Sequence, residues 1–220
     1  MKPPSRVSSR AAPRAAGAGR LVRGAVVAAL VASATAAGAQ TTMTLYGGAR
    51  GGGDFDDASG NGATFKLKSG AAVSASLDWQ LDDGRQGQVF YSFQRSALPG
   101  KAFGQPVDVS VNVSYLHLGG RAFIEGDAKQ GGGYVVGGLG ATFFSPGLGG
   151  TSNEVRPSAN AGLGWQWPLA RNVALRTELR GYLSLINSSG EFFCSGGCVV
   201  SIRGQTLVQV EGMLGVSIGF

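Results

Sequence analysis

The segment Val173–Leu185 reads VALRTELRGYLSL, and its polarity changes with almost every residue. In a strand, successive side chains point to opposite faces. The leucines then share one face with Val173, while Arg176, Glu178 and Arg180 share the other face with Ser184. A period of two residues is typical of a strand, because an amphipathic helix repeats its apolar positions every three or four residues. This segment therefore predicts a strand with one apolar and one charged face.

The same alternation recurs along the rest of the chain. The other segments that share it are 42–52, 71–81, 88–95, 109–115, 132–144, 160–167 and 208–220. In segment 109–115 we expect the valines and Tyr115 on the apolar outer face, opposed by Ser110, Asn112 and Ser114. Together the segments predict about eight strands of about ten residues each.

The composition agrees with a single all-β domain. The chain has 220 residues, of which 43% are hydrophobic and 15% charged, and it contains 38 glycines without a regular spacing. Each glycine in a helix interior costs about 1 kcal/mol relative to alanine. Helices are therefore disfavoured along most of the chain, and many strands and turns are expected.

The N-terminal residues 1–39 have the features of a secretory signal peptide. An arginine-rich stretch precedes the apolar run 24–37, and Ala37 and Ala39 stand before Gln40, so we predict cleavage after Ala39. An apolar run of this length is too short for a transmembrane helix, which needs about 20 residues. The formal charge of +6 resides in this segment, so residues 40–220 are close to neutral and nucleic-acid binding is not expected.

The connections between the predicted strands are of two lengths. Residues 82–85 and 170–172 are tight turns, whereas the stretches 53–69, 97–108, 145–157 and 187–203 are long and rich in Gly, Ser, Asp or Pro. Outer-membrane barrels have short turns at one end and long loops at the other. The connection 119–131 is the exception, since it is longer than a short turn should be.

Two features favour a membrane barrel over a soluble one. Trp79, Trp165, Trp167, Tyr91 and Tyr182 lie towards strand ends, as do the aromatic residues that meet the lipid interface, although Tyr182 falls on the predicted inner face. The last segment ends in Phe220, with Ile218 and Val216 at the alternate positions before it. We interpret Val216, Ile218 and Phe220 as an assembly signal, because this segment resembles the C-terminal strand that the bacterial barrel-assembly machinery recognises.

Over residues 42–220 the chain resembles the family of small outer-membrane β-barrel proteins, which includes the A, X and W types. The resemblance rests on the N-terminal signal segment, on glycine- and aromatic-rich strands such as YVVGGLG at 134–140, and on Phe220. It implies a closed antiparallel up-and-down transmembrane β-barrel of about eight strands in the outer membrane. The implied partners are membrane lipid and the assembly machinery, and a monomer is expected.

The interior of an eight-stranded barrel is just wide enough for side chains to fill it. The charged residues that we assign to the lumen are Arg50, Asp78, Arg95, Arg176, Glu178, Arg180 and Glu211. Since both signs are present, these residues can pair across strands and form a polar plug. The alternative is a narrow path for ions or small solutes.

Three residues invite a chemical interpretation. Cys194 and Cys198 lie in a long connection, and a disulfide is expected because exported thiols oxidise; two cysteines alone make a poor metal or redox site. His117 is the only histidine. It has no adjacent nucleophile, because Ser114 points to the opposite face, so we assign it a structural place at the membrane interface. No cofactor or metal is predicted.

Three functions remain open at this point. The first is a non-enzymatic barrel that has an envelope-structural role or binds partners through its outer loops. The second is a narrow channel or transporter for small, even hydrophobic, solutes, as the resemblance to the W type allows. The third is a lipid A-modifying enzyme, which would need residues that only folding brings together.

Overall fold

The structure is a computed structural model that describes residues 41–57, 64–98, 108–147, 153–186, 202–203 and 206–220. The predicted signal segment 1–39 lies outside these residues, as do Cys194 and Cys198. Within the described residues, no helix is long and apolar enough to cross a bilayer.

The described residues form eleven strands. These are β1 (Thr41–Gly52), β2 (Asp54–Asp57), β3 (Thr64–Lys66), β4 (Gly70–Gln80), β5 (Arg85–Leu98), β6 (Val109–Phe123), β7 (Gly132–Pro146), β8 (Glu154–Ala170), β9 (Val173–Leu185), β10 (Ile202–Arg203) and β11 (Thr206–Gly219). Eight of them close into a barrel in the order β1-β11-β9-β8-β7-β6-β5-β4, and β10, β2 and β3 form a separate small sheet. All barrel pairs are antiparallel. The predicted closed up-and-down barrel of eight strands is confirmed.

The barrel closes where β1 pairs with β11. Their register runs from Thr42 opposite Gly219 to Gly52 opposite Gln209. At the end of this seam the backbone N–H of Phe220 donates to the Thr41 carbonyl oxygen at 2.9 Å, and the Thr41 N–H donates to the Phe220 carbonyl oxygen at 3.3 Å. Because every barrel strand has a partner on both sides, the sheet has no open edge.

The two ends of the barrel differ in their connections. At the short-turn end, residues 81–84, 124–131 and 171–172 join neighbouring strands; at the long-loop end the connections are residues 53–69, 99–108, 147–153 and 186–205. In the first short turn, Arg85 Nε donates to an Asp82 carboxylate oxygen at 2.6 Å. This hydrogen bond holds the pKa of Asp82 below its usual value.

Strand β6 is longer than predicted, and its faces are the reverse of our expectation. Val111, Val113 and Tyr115 are at most 1% exposed and point into the barrel. The reason is the register, since Tyr115 pairs with Ser92 and Val113 with Gln94, and residues that pair directly share a face. The assignment of the two faces of β6 relied on polarity alone. It was wrong because the small serines at the alternate positions of this strand can lie on the outside. The strand also continues to Phe123, which shortens the supposed connection 119–131 to residues 124–131.

The outer face of the barrel is apolar around its circumference. Leu139 is 72% exposed and Leu163 is 61% exposed, whereas Arg50 on the inner face is 0% exposed. In a soluble barrel the charged residues would lie outside and the leucines inside. The distribution is therefore that of a protein whose surrounding solvent is hydrocarbon.

Two tyrosines inside the barrel explain why two positions of the barrel wall are occupied by glycine. A Cβ atom at Gly215 would clash with the ring of Tyr46 and would lie 2.8 Å from the Leu45 carbonyl oxygen. A Cβ atom at Gly164 would clash with Tyr134 in the same way. Both glycines therefore leave the space in which an aromatic ring lies flat against the inner wall.

We expect Leu139→Arg to lower the free energy of unfolding by about 2–4 kcal/mol, since Leu139 lies midway along β7 and a charge at the bilayer midplane carries that cost. The matched variant Leu169→Arg is near the short-turn end of β8 and should cost only about 0–1 kcal/mol. Equilibrium unfolding in phospholipid vesicles measures both values. Equal, small losses would show that the outer face does not meet lipid.

Candidate functional site

The barrel interior contains most of the charged residues that the sequence assigned to it. The structure places six of them inside, each at most 4% exposed. They are Arg50 on β1, Asp78 on β4, Arg176, Glu178 and Arg180 on β9, and Glu211 on β11. They point inward because they alternate with the outward leucines and valines of the same strands.

Arg95 does not belong to this interior set. It is exposed on the outside of β5, between Gln94 and Ser96, which are buried at 1% and 5% exposure. Arg95 is separated by an even number of residues from Val89 and Tyr91, which face outward, so it lies on the same outer face. The assignment of Arg95 to the lumen was therefore wrong, because the period of the strand outweighs the charge of one residue.

Arg50 and Glu211 form the first of three buried ion pairs. They pair across the seam between β1 and β11, and Arg50 Nη1 lies 3.6 Å from Glu211 Oε2. Ser92 bridges them, since it accepts from Arg50 Nη1 at 3.0 Å and donates to Glu211 Oε2 at 2.8 Å. Glu211 also accepts from Tyr182 at 2.8 Å and from Ser74 at 2.7 Å. The carboxylate is thus fully surrounded by donors.

Asp78 and Arg176 form the second pair, at 2.7 Å. Gln88 Nε2 donates to the other Asp78 oxygen at 2.7 Å. Arg176 donates in addition to Gln166 Oε1 at 2.9 Å and to Thr44 Oγ1 at 2.6 Å. This pair joins β1, β4, β5, β8 and β9 across the lumen.

Glu178 and Arg180 form the third pair, along one face of β9. Two nitrogens of Arg180 lie 2.7 and 2.6 Å from Glu178 Oε1. Tyr134 donates to Glu178 Oε2 at 3.1 Å, and Arg180 Nη2 donates to Gln88 Oε1 at 2.9 Å. Because Gln88 contacts both Asp78 and Arg180, the second and third pairs belong to one hydrogen-bonded network.

An apolar layer lies next to this network. Its members are buried side chains from several strands and adjoining residues, namely Leu67, Val109, Val111, Val113, Phe144, Ile186 and Leu207. Arg50 connects the two parts, since Arg50 Nη2 donates to the Val113 carbonyl oxygen at 2.8 Å and its guanidinium lies 4.8 Å from the centre of the Tyr115 ring. Polar side chains therefore fill one part of the barrel interior, and apolar side chains fill the part next to it.

Arg121 is a buried cation that the sequence interpretation missed. It is 2% exposed and donates to Gln166 Oε1 at 3.1 Å and to Gln86. It was missed because residues 119–131 were interpreted as a connection. Arg121 lies an even number of residues from Tyr115 and His117 and shares their inward face, but the sequence interpretation had assigned Tyr115 to the outer face, so this spacing alone would not have placed Arg121 inside.

His117 also lies inside the barrel rather than at the membrane interface. It is 2% exposed, its ring stacks 5.6 Å from that of Tyr115, and its Nε2 is 2.9 Å from Ser158 Oγ. Folding therefore creates the histidine–serine pair that the sequence did not show. Among the described residues, however, no group orients His117 through Nδ1, which lacks a hydrogen-bond partner. A nucleophile activated by a base also needs that third group.

The interior offers no metal site in the described part of the chain, where no group of three or more His, Cys, Asp or Glu residues could hold an ion.

No protein-family model and no curated protein matches this chain. Among solved structures, Neisserial surface protein A is 13% identical, with a TM-score of 0.51 over 84% of this chain and 100% of that chain. The outer membrane protein OprG from Pseudomonas aeruginosa is 15% identical, with a TM-score of 0.49 over 83% of this chain and 96% of that chain. The N-terminal β-barrel domain of Pseudomonas aeruginosa OprF is 13% identical, with a TM-score of 0.47 over 83% of this chain and 99% of that chain.

The fold and the filled polar interior define the class of small, closed eight-stranded β-barrels. The first of the three comparisons shows, more narrowly, that the chain shares its fold with Neisserial surface protein A. The resemblance drawn from the sequence is therefore confirmed as one of fold.

Glu211→Ala should lower the free energy of unfolding by about 3–5 kcal/mol, because it leaves Arg50 buried without its counter-charge. The double variant Arg50→Met with Glu211→Ala should lose less, since no unpaired charge remains. Urea unfolding in detergent micelles measures both. The single variant Arg50→Met completes the cycle, and a double variant that loses the sum of the two single losses would show that the pair is not coupled.

Proposed function

We propose that this chain is a non-enzymatic integral protein of the bacterial outer membrane, with an envelope-structural or surface-interaction role. The barrel serves as a rigid support, and the four connections at its long-loop end make the contacts outside the cell. The observation that carries the proposal is the interior, in which three ion pairs and an apolar layer occupy the space that a channel would need.

The outward residues support the membrane location. Large apolar side chains such as Leu45, Leu116, Leu139 and Leu183 are exposed on four different strands of the barrel. A sheet can lie in hydrocarbon only if all its backbone groups are paired internally, and this barrel pairs each strand on both sides. In this proposal residues 1–39 direct export and are cleaved after Ala39, and lipid surrounds a monomeric barrel.

The assembly signal fits the seam of the barrel. Val216, Ile218 and Phe220 are all exposed on the outer face, at 49–56%, and β11 is the strand that completes the barrel against β1. An outer row of apolar side chains on the closing strand is accessible before closure. We infer that the barrel-assembly machinery binds this row first and that pairing with β1 follows.

Conductance measurements test the closed interior. Full-length protein is produced with its own N-terminal segment, purified from outer-membrane fractions and inserted into planar bilayers. We expect no current steps above those of the bare bilayer, whereas an open porin in the same bilayer conducts. The variant Glu178→Ser with Arg180→Ser shortens two large side chains of the plug but leaves the other two ion pairs and the apolar layer in place, so it should also show no steps. Reproducible steps from the unaltered protein would favour the narrow-channel alternative.

The lipid A of the producing cells is the control for enzymatic activity. If the protein is not an enzyme, the masses of lipid A are the same with and without its expression. A mass change that disappears in Ser158→Ala would instead assign a catalytic role to the His117–Ser158 pair and would overturn the proposal. Heat-modifiable migration of Ser158→Ala in detergent gels shows whether this variant still folds.

Thiol labelling of intact cells tests the orientation of the barrel and the predicted disulfide together. A membrane-impermeant maleimide should label Cys194 and Cys198 only after reduction, because a disulfide protects both thiols and the connection 186–205 lies outside the cell. Labelling without reduction would contradict the disulfide. Labelling that requires cell lysis even after reduction would contradict the orientation. The matched control is the variant Cys194→Ser with Cys198→Ser, which should not react.

A further inference from the structure

The buried charges of the described residues do not balance. Four arginines (Arg50, Arg121, Arg176 and Arg180) accompany three carboxylates (Asp78, Glu178 and Glu211). Each carboxylate forms an ion pair with one arginine. Arg121 is the arginine that has no ion pair within the part of the chain that the structure describes. The network therefore carries one excess positive charge, and that charge is located at Arg121.

The surroundings of Arg121 do not fully neutralise it, because the carboxylate that attracts it, Asp78, is already paired with Arg176. Its hydrogen-bond acceptors are the side-chain amides of Gln86 and Gln166, which are uncharged. Its guanidinium lies 4.9 Å from the centre of the Phe123 ring and 4.8 Å from that of Tyr134. Its Nε has no hydrogen-bond partner. A buried charge of this kind is strongly unfavourable unless a counter-ion is near it.

A cavity at the short-turn end adjoins Arg121. Its volume is about 50 Å³, and four basic residues line it: Arg121, Lys129, Arg171 and Arg176. No Asp or Glu is among its lining residues. A single water molecule needs about 10–15 Å³ of such a volume, so the cavity has room for a larger polar group. Its charge and size together suit a small oxyanion.

We propose that this cavity is a binding site for one phosphate group, with Arg121 as its main ligand. Arg121 has an unpartnered N–H, and a guanidinium binds phosphate oxygens with paired donors. Because Arg176 is already paired with Asp78, it contributes positive electrostatic potential to the cavity rather than a free hydrogen-bond donor. Lys129 and Arg171 lie in the short connections and attract the anion to the entrance. The phosphate comes either from a soluble phosphate compound or from a phospholipid headgroup of the surrounding leaflet.

Thermal unfolding of the full-length protein in an uncharged maltoside detergent tests the site. The probe is inorganic phosphate, added at constant ionic strength against chloride. We expect a saturable rise of the unfolding midpoint, since a ligand that binds the folded state stabilises it. Arg121→Met should weaken phosphate binding by about tenfold or more, because it removes a charge-assisted hydrogen-bond donor. The matched control Arg95→Met removes an exposed arginine elsewhere on the barrel and should respond like the unaltered protein.

A second probe separates the two sources of phosphate. Short-chain phosphatidylglycerol is compared with a glycolipid of the same chain length. Stabilisation by inorganic phosphate itself indicates a soluble ligand, whereas stabilisation by phosphatidylglycerol but not by phosphate or the glycolipid indicates a lipid headgroup. Either result supports the site if Arg121→Met abolishes it.

Two outcomes would overturn the proposal: no probe shifts the midpoint of the unaltered protein, or Arg121→Met responds as the unaltered protein does. If Arg121→Met does not fold, Arg121→Lys takes its place. This variant keeps the charge but loses the planar pair of donors, so it should bind phosphate with reduced affinity. Unchanged affinity in Arg121→Lys would exclude Arg121 as the main ligand. The result does not depend on whether the barrel conducts, because the site lies at one end of the interior.

Discussion

The closure of the sheet between β1 and β11 is the constraint on which the rest of the structure depends. In hydrocarbon no water can satisfy the free edge of a strand, so the first and last strands of the sheet must pair with each other. Closure requires the registers of all neighbouring strands to be consistent with one another, and the registers decide which side chains meet in the interior. Arg50 and Glu211 illustrate this, since they are 161 positions apart in the numbering and yet face each other across the seam.

The charges and hydrogen-bonding groups that closure brings together in the interior must then be satisfied by neighbouring side chains. Two hydrogen-bonding side chains, Ser92 and Gln88, connect charged groups that do not fully satisfy one another directly. Such bridges matter because a buried charge that lacks partners costs several kcal/mol. The network is complete around the three carboxylates and incomplete around Arg121. The same physical rule therefore explains the rigidity of the barrel's interior and the location of the proposed phosphate site at its short-turn end.

The proposed roles of the barrel as a support and of its connections as contact regions follow from this rigidity. A filled interior resists deformation, since packed protein interiors have low compressibility, and the connections at the long-loop end can then vary without disturbing the strands. The pair His117 and Ser158 fits the same account. Both side chains are buried among other interior groups, and His117 Nδ1 has no hydrogen-bond partner among the described residues.

The sequence by itself determined the eight barrel strands and their two-faced alternation, because a period of two residues is a local property of the backbone, but it did not predict the three short strands β2, β3 and β10. Six of the residues that it assigned to the lumen are buried in the structure. It failed for Arg95, for the faces of β6 and for Arg121, where polarity, small side chains or a misplaced strand end gave the wrong assignment. Only the tertiary structure decided which residues meet across the lumen. Partners such as Arg50 and Glu211, or His117 and Ser158, are set by the register of a closed sheet, and register is a relation between distant strands that no local pattern contains.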